Sequence, residues 1–168
     1  MSDEGSTRLR PVVDADLDVL GELRNDLDVQ LLLLARPRPN SPERVRQWVS
    51  RLADDPAAAL FAIADRDDAC VGFVQLTAID AVSSHARLGI AVAPEHRRRG
   101  HAAAAIAELW DYGHRVWGLR KLVLDVRADN RGALDLYEAL GFERVGVHRE
   151  HFRDGDRWHD VVVMERLG

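Results

Sequence analysis

Residues 92–103, Val-Ala-Pro-Glu-His-Arg-Arg-Arg-Gly-His-Ala-Ala, constrain the fold more than any other stretch of the chain. The residues before them, 87–92, read as a strand that Pro94 ends, and a helical pattern follows from about 98 to 117, with Ile106, Leu109, Trp110, Gly113 and Val116 on one face. A strand that delivers the chain through a basic loop and a glycine into a helix is a recognisable anion site. Small residues let a ligand approach the backbone, the first N–H groups of the helix have no internal partner, and the positive end of the dipole points at them. Arg97, Arg98 and Arg99 add charge, so a diphosphate suits the loop. The bland alternative is a solvated arginine run beside an ordinary helix start. Neither G-x-G-x-x-G nor G-x-x-x-x-G-K-[ST] occurs, so phosphates would not be cradled in the Rossmann or Walker manner.

The flanking sequence supplies the rest of the architecture. Residues 1–7 read as a flexible tail and 8–13 as a short strand, after which Asp14 caps a helix carrying Leu17, Leu20, Leu23 and Leu27. Ser41-Pro42 starts a second helix with Val45, Trp48, Val49 and Leu52, which stops near Pro56. Residues 59–64 and 70–77 form an antiparallel pair. Beyond the long helix, which Gly118 ends, 121–126 is a buried strand, 130–140 a helix closed by Gly141, and 142–152 and 157–167 a hairpin turning at Asp154-Gly155. The order β-α-α-β-β-β-α-β-α-β-β predicts one α+β domain over 8–168, largely antiparallel, with a single parallel crossover through the long helix.

Composition narrows the partners. The 23 basic and 28 acidic residues leave a net charge of −5, which argues against bulk affinity for nucleic acid. No apolar run, 31–35 included, approaches the length of a membrane span, and the acidic, polar start is not signal-like. The lone Cys70 excludes an internal disulfide and fits a reducing cytoplasm.

Arg97-x-x-Gly100-x-Ala102 resembles the [Q/R]-x-x-G-x-[G/A] pattern with which the GNAT N-acetyltransferases bind the pyrophosphate of acetyl-coenzyme A. The strand Leu122-Val123-Leu124-Asp125-Val126, then Asn130, then the run from Ala133 through Tyr137 to Gly141-Phe142, follow at family spacing. Gly146-Val147-His148-Arg149-Glu150, Trp158-His159-Asp160 and the opening Leu9-Arg10-Pro11 resemble the RimJ/RimL-like branch. The resemblance implies the GNAT fold, a mixed, largely antiparallel sheet of about seven strands flanked by about four helices. It also implies acetyl-CoA as cosubstrate, no metal, and an acceptor amine that attacks the thioester directly. Cofactor contacts then fall on Ile90, Ala91 and Val92, which align the pantetheine as an added strand, and on Arg97, Arg98, Arg99, Gly100, His101 and Ala102. Asn130, Ala133 and Tyr137 complete the set.

Tyr137 is the expected general acid toward the leaving thiolate, its alternative being a core aromatic packed with Leu134 and Leu140; Asn130 can serve the pantetheine and cap its helix at once. Where relatives often place a glutamate base this chain has Arg87, which leaves His85, Asp80, Glu150 or water to take the amine proton. If Arg153 lies opposite Asp156, His159 faces Glu150, and His148, Glu150 and His159 share a face as polar cross-strand pairs rather than a metal site. The acceptor could be a protein N-terminus, a polyamine, an amino acid or another small amine. An aminoglycoside acceptor, or a module that binds acetyl-CoA without transfer, is the alternative. Relatives of this branch are often homodimers; neither nucleic acid nor membrane is an expected partner.

Overall fold

The computed structural model describes residues 6–168. Seven strands form one sheet in the order β1-β2-β3-β4-β5-β7-β6: Arg8–Arg10, Ala59–Ala64, Cys70–Asp80, His85–Val92, Lys121–Arg127, then Arg157–Leu167 (β7) beside Glu143–Asp154 (β6). Every neighbouring pair is antiparallel except β4 and β5. Helices α1 (Leu17–Asn25), α2 (Leu27–Leu32) and α3 (Pro42–Asp54) cover one face, where Leu20, Leu23, Val45 and Trp48 pack on Phe73 and Ala91. Helices α4 (His101–Trp117) and α5 (Arg131–Ala139) cover the other, where Ile106, Leu109, Leu134 and Tyr137 close over Val74, Leu88, Leu124 and Met164. Period-2 alternation decides the split: Phe73 and Ala91 point one way, Val74 and Val92 the other.

One irregularity positions the site. Strands β4 and β5 pair only at His85↔Lys121, Ala86↔Leu122 and Arg87↔Val123. They then diverge, so residues 88–92 of β4 are paired to β3 alone and show their other backbone edge to a cleft. The cleft mouth faces the start of α4.

Several boundaries differ from the sequence expectation, each for a local reason. The expected single helix after Asp14 is a 3-10 turn (Asp14–Asp16), then α1, then α2; the chain breaks at Asp26, whose carboxylate accepts from the Val29 N–H and starts a new helix, giving five helices where about four are expected. Helix α4 begins at His101 rather than at Arg98, because Arg98 (φ 61°) and Gly100 (φ 84°) are left-handed and cannot belong to it. The last hairpin also corrects its register. Asp154 pairs with Arg157 and Phe152 with His159, while His148 pairs with Val161. A bulge therefore sits between them, with Glu150 at φ 47° and its N–H donating to the Asp160 carboxylate. The turn itself is Gly155-Asp156 rather than the expected Asp154-Gly155, so His159 faces Phe152 and not Glu150.

Residues 1–5 of the expected tail lie outside the described residues; Thr7 has its hydroxyl 2.9 Å from His101 Nδ1. Nearby, Asp16 is only 2% exposed and accepts two hydrogen bonds from Arg10, at 2.7 and 2.9 Å, and one from the Val13 N–H. Burial alone would raise the Asp16 pKa, but these donors more than offset it and the carboxyl ends below its ordinary value. The stability this pair contributes is present above the unfolded-state carboxylate pKa and is lost as pH falls toward the depressed folded value. Asp16→Asn is expected to cost about 3 kcal/mol in urea unfolding at pH 7 and to flatten the acid limb of the stability profile. An unchanged midpoint at pH 7 would show that the pair contributes nothing net.

Candidate active site

The cleft between β4 and β5 is a cavity of about 580 Å³ that runs from the start of α4 to the middle of α5. Its floor includes Ile90, Ala91 and Val92, and its basic end is formed by Arg97, Arg98, Gly100, His101 and Ala102. Asn130, Ala133 and Tyr137 line the α5 side. Eleven of the twelve residues expected to touch the cosubstrate therefore converge on one cavity; Arg99 alone is not in its wall.

The loop geometry is that of an anion cradle. Gly100 is the N-cap of α4 and supplies no side-chain cap, so the amides of His101, Ala102 and Ala103 keep their hydrogens for a ligand. A glycine is required at residue 100 by its φ of 84°, although open space surrounds the position of a Cβ. Arg97 is partly structural, since its Nε donates to the Val92 carbonyl at 3.0 Å and ties the loop back to the strand that carries it. His101 is buried, and burial first, then the neighbouring His96, holds its imidazole below the ordinary pKa, so it is neutral at pH 7.

Asn130 caps its helix as expected and lines the cleft. Its Oδ1 accepts from the Ala133 N–H at 3.3 Å and caps α5, which leaves the amide NH₂ beside the cleft. Tyr137 is 9% exposed, its ring 5.6 Å from that of Phe142, and burial pushes its pKa up to about 12. Among the described residues its hydroxyl has no hydrogen-bond partner. It is therefore a protonated donor facing the cavity.

The base candidates do not gather there. His85 lies 3.7 Å from Asp80 at the far end of β4, and Glu150 sits in the β6 bulge. The structure instead brings in Asp125, a cavity residue ion-paired to Arg87 where β4 and β5 part. The sequence signal for it was present, a lone acid interrupting the apolar run of β5, but its meaning depends on the splay. Val29, Leu32 and Leu33 of the α2 region also reach the cavity, and nothing in their leucine-rich context marks them. Among the described residues no three His, Cys, Asp or Glu converge in a way that could hold a metal.

Residues 7–143 match the family model described as an acetyltransferase (GNAT) domain. The chain belongs to the GNAT acetyltransferase family. A spermidine N(1)-acetyltransferase of Vibrio cholerae is 29% identical over 156 residues, covering 93% of this chain and 90% of the relative. A crystal structure of spermidine N-acetyltransferase from Vibrio cholerae in complex with CoA and spermine superposes with a TM-score of 0.89 at 28% identity, covering 96% of this chain and 95% of that one. A dodecameric structure of the same enzyme matches with a TM-score of 0.81 at 28% identity, covering 96% and 93%. The acetyltransferase thus has the GNAT fold, takes acetyl-CoA as cosubstrate and transfers acetyl to a primary amine. Its first element, its cleft and its last hairpin all belong to that fold. No helix among the described residues is long and apolar enough to cross a membrane.

Proposed function

We propose that the protein is a small-amine N-acetyltransferase of the cytoplasm, with polyamines as the first acceptor class and residues 8–168 as its one catalytic domain. The observation that carries this reading is the near end-to-end similarity to polyamine acetyltransferases. Acidic groups on the acceptor side agree with it. Asp125 lines the cleft, Asp28 of α2 acts electrostatically on Arg127 at the end of β5, and Asp129 and Asp154 flank that arginine. With Arg87 paired to Asp125, four carboxylates share two arginines, which leaves the group net acidic and favourable to a cation.

In this reading the unpaired edge of residues 89–92 aligns the pantetheine, the α4 amides with Arg97 and Arg98 hold the diphosphate, and Asn130 orients the arm. The amine nitrogen bonds to the acetyl carbon, the carbon–sulfur bond breaks, and Tyr137 donates a hydrogen bond to the departing sulfur. The ammonium proton leaves through water, since Arg87 occupies the place of a strand carboxylate. Placement in the RimJ/RimL-like branch rests on residues 146–150 and 158–160 of the last hairpin. Self-association is also part of the proposal, supported by the exposed Val145, Val147 and Trp158 of the same hairpin and by the relative's dodecamer.

The test is thiol release from acetyl-CoA against spermidine, spermine, amino acids, peptides and aminoglycosides. Turnover with polyamines supports the reading. Turnover confined to another amine class moves the acceptor assignment, and acetyl-CoA binding with no thiol release across the panel replaces the enzyme with a binding module.

A further inference from the structure

A second cavity, of about 290 Å³, lies between α1, α2, the linker that follows them and Phe73 of β3. Arg24, Arg36 and Arg38 line it, and no Asp or Glu does. None of the three forms an ion pair among the described residues, in a chain whose net charge is −5. Arg24 is held in place rather than free: its guanidinium stacks on the Trp48 ring at 4.3 Å, and Trp48 is fixed edge-on against Phe73. Its Nε is nevertheless buried without a hydrogen-bond partner. Burial, then the like charges of Arg38, Arg51 and Arg44, hold its pKa below the ordinary value, the signature of a cation with no counter-charge.

Asn40 is 8% exposed, and its NH₂ donates to the carbonyls of Arg24 at 2.8 Å and Arg38 at 3.0 Å, which fixes the amide orientation. Its Oδ1 is buried and unpartnered, and the residue lines the same cavity. Both orphaned atoms lie behind the cavity wall, out of reach of a bound molecule, and what the cavity itself lacks is a counter-charge for its three arginines.

We propose that this cavity binds a small oxyanion, a carboxylate or phosphate group, held by Arg24, Arg36 and Arg38. Guanidinium groups match both anions through paired N–H donors. The same charges repel ammonium, so the cavity is not a polyamine subsite. Val29 and Leu33 line both this cavity and the transfer cleft, which places the anion beside the acceptor's path. The anion is therefore either free or carried by the acceptor itself.

Calorimetric titration distinguishes the outcomes. The protein is saturated with CoA so that the diphosphate loop is filled, and is titrated at constant ionic strength with inorganic phosphate and with glutamate. Saturable binding is expected, weakened about 10-fold or more in Arg24→Gln and in Arg38→Gln. Arg38 is exposed, so its variant keeps the fold, with unchanged CoA affinity as the control. Lysine and cadaverine, which differ by a carboxylate, locate the source. If the acceptor carries the anion, KM for lysine rises about 10-fold in Arg24→Gln while that for cadaverine holds. If neither KM moves but phosphate binding weakens, the site takes a free anion. Absence of saturable binding to the CoA-loaded protein, or binding undiminished in both variants, overturns the proposal. The titrations need no turnover, so they stand or fall separately from the acceptor assignment.

Discussion

Replacing Tyr137 with phenylalanine is expected to lower kcat by about 10²–10³-fold and to leave CoA affinity within about twofold. The hydroxyl borders the cleft with no protein partner, so its removal breaks no internal hydrogen bond, and the ring contact with Phe142 survives. With a pKa of about 12 the phenol stays protonated throughout the working range. Complete transfer of its proton to a thiolate of pKa near 8.5 would cost about 5 kcal/mol, so in the proposed mechanism the group would stabilise the developing sulfur charge as a donor without being depleted. No alkaline limb below pH 10 should then belong to Tyr137. Stopped-flow turnover with an unchanged kcat would return the residue to its alternative, a core aromatic.

Ala102→Asp is expected to weaken acetyl-CoA binding by about 10²–10³-fold without destabilising the fold. Residue 102 is the second residue of α4, where an acid improves the helix by complementing its dipole, so thermal stability should hold or rise. The same carboxylate would meet a diphosphate in the cradle, and two like charges at about 4 Å repel by about 4 kcal/mol at an effective dielectric of 20. Binding and stability are thus driven in opposite directions by one substitution. Undiminished affinity by calorimetry would mean that the diphosphate lies elsewhere.

Much of this site was legible because its parts are local. A glycine, three arginines and a helix start adjoin in sequence, and Asn130 and Tyr137 share one short helix, so spacing alone brings them near one another. Asp125 with Arg87 was not legible, since their meeting depends on two strands that pair for three residues and then separate. The break at Asp26 escaped because helical leucine spacing continues through it, and only the capping bond to Val29 reveals it. The last hairpin escaped twice over: the turn falls at Gly155-Asp156 rather than Asp154-Gly155, which moves the register beside the loop, and the bulge at Glu150 shifts it again farther along. Arg24, Arg36 and Arg38 acquire meaning only from the counter-charge that their cavity lacks.

With the pantetheine arm along residues 89–92 as proposed, the parting of β4 and β5 would make the cosubstrate a missing piece of the sheet. Amides of residues 88–92 that face the cleft are sheltered by no strand on that side, so in the free protein they should trade hydrogen for deuterium readily. Once the pantetheine arm lies along them, their exchange should slow while that of β2 stays as it was. The protein would then carry a clock for cofactor residence in its own backbone, readable without any acceptor present.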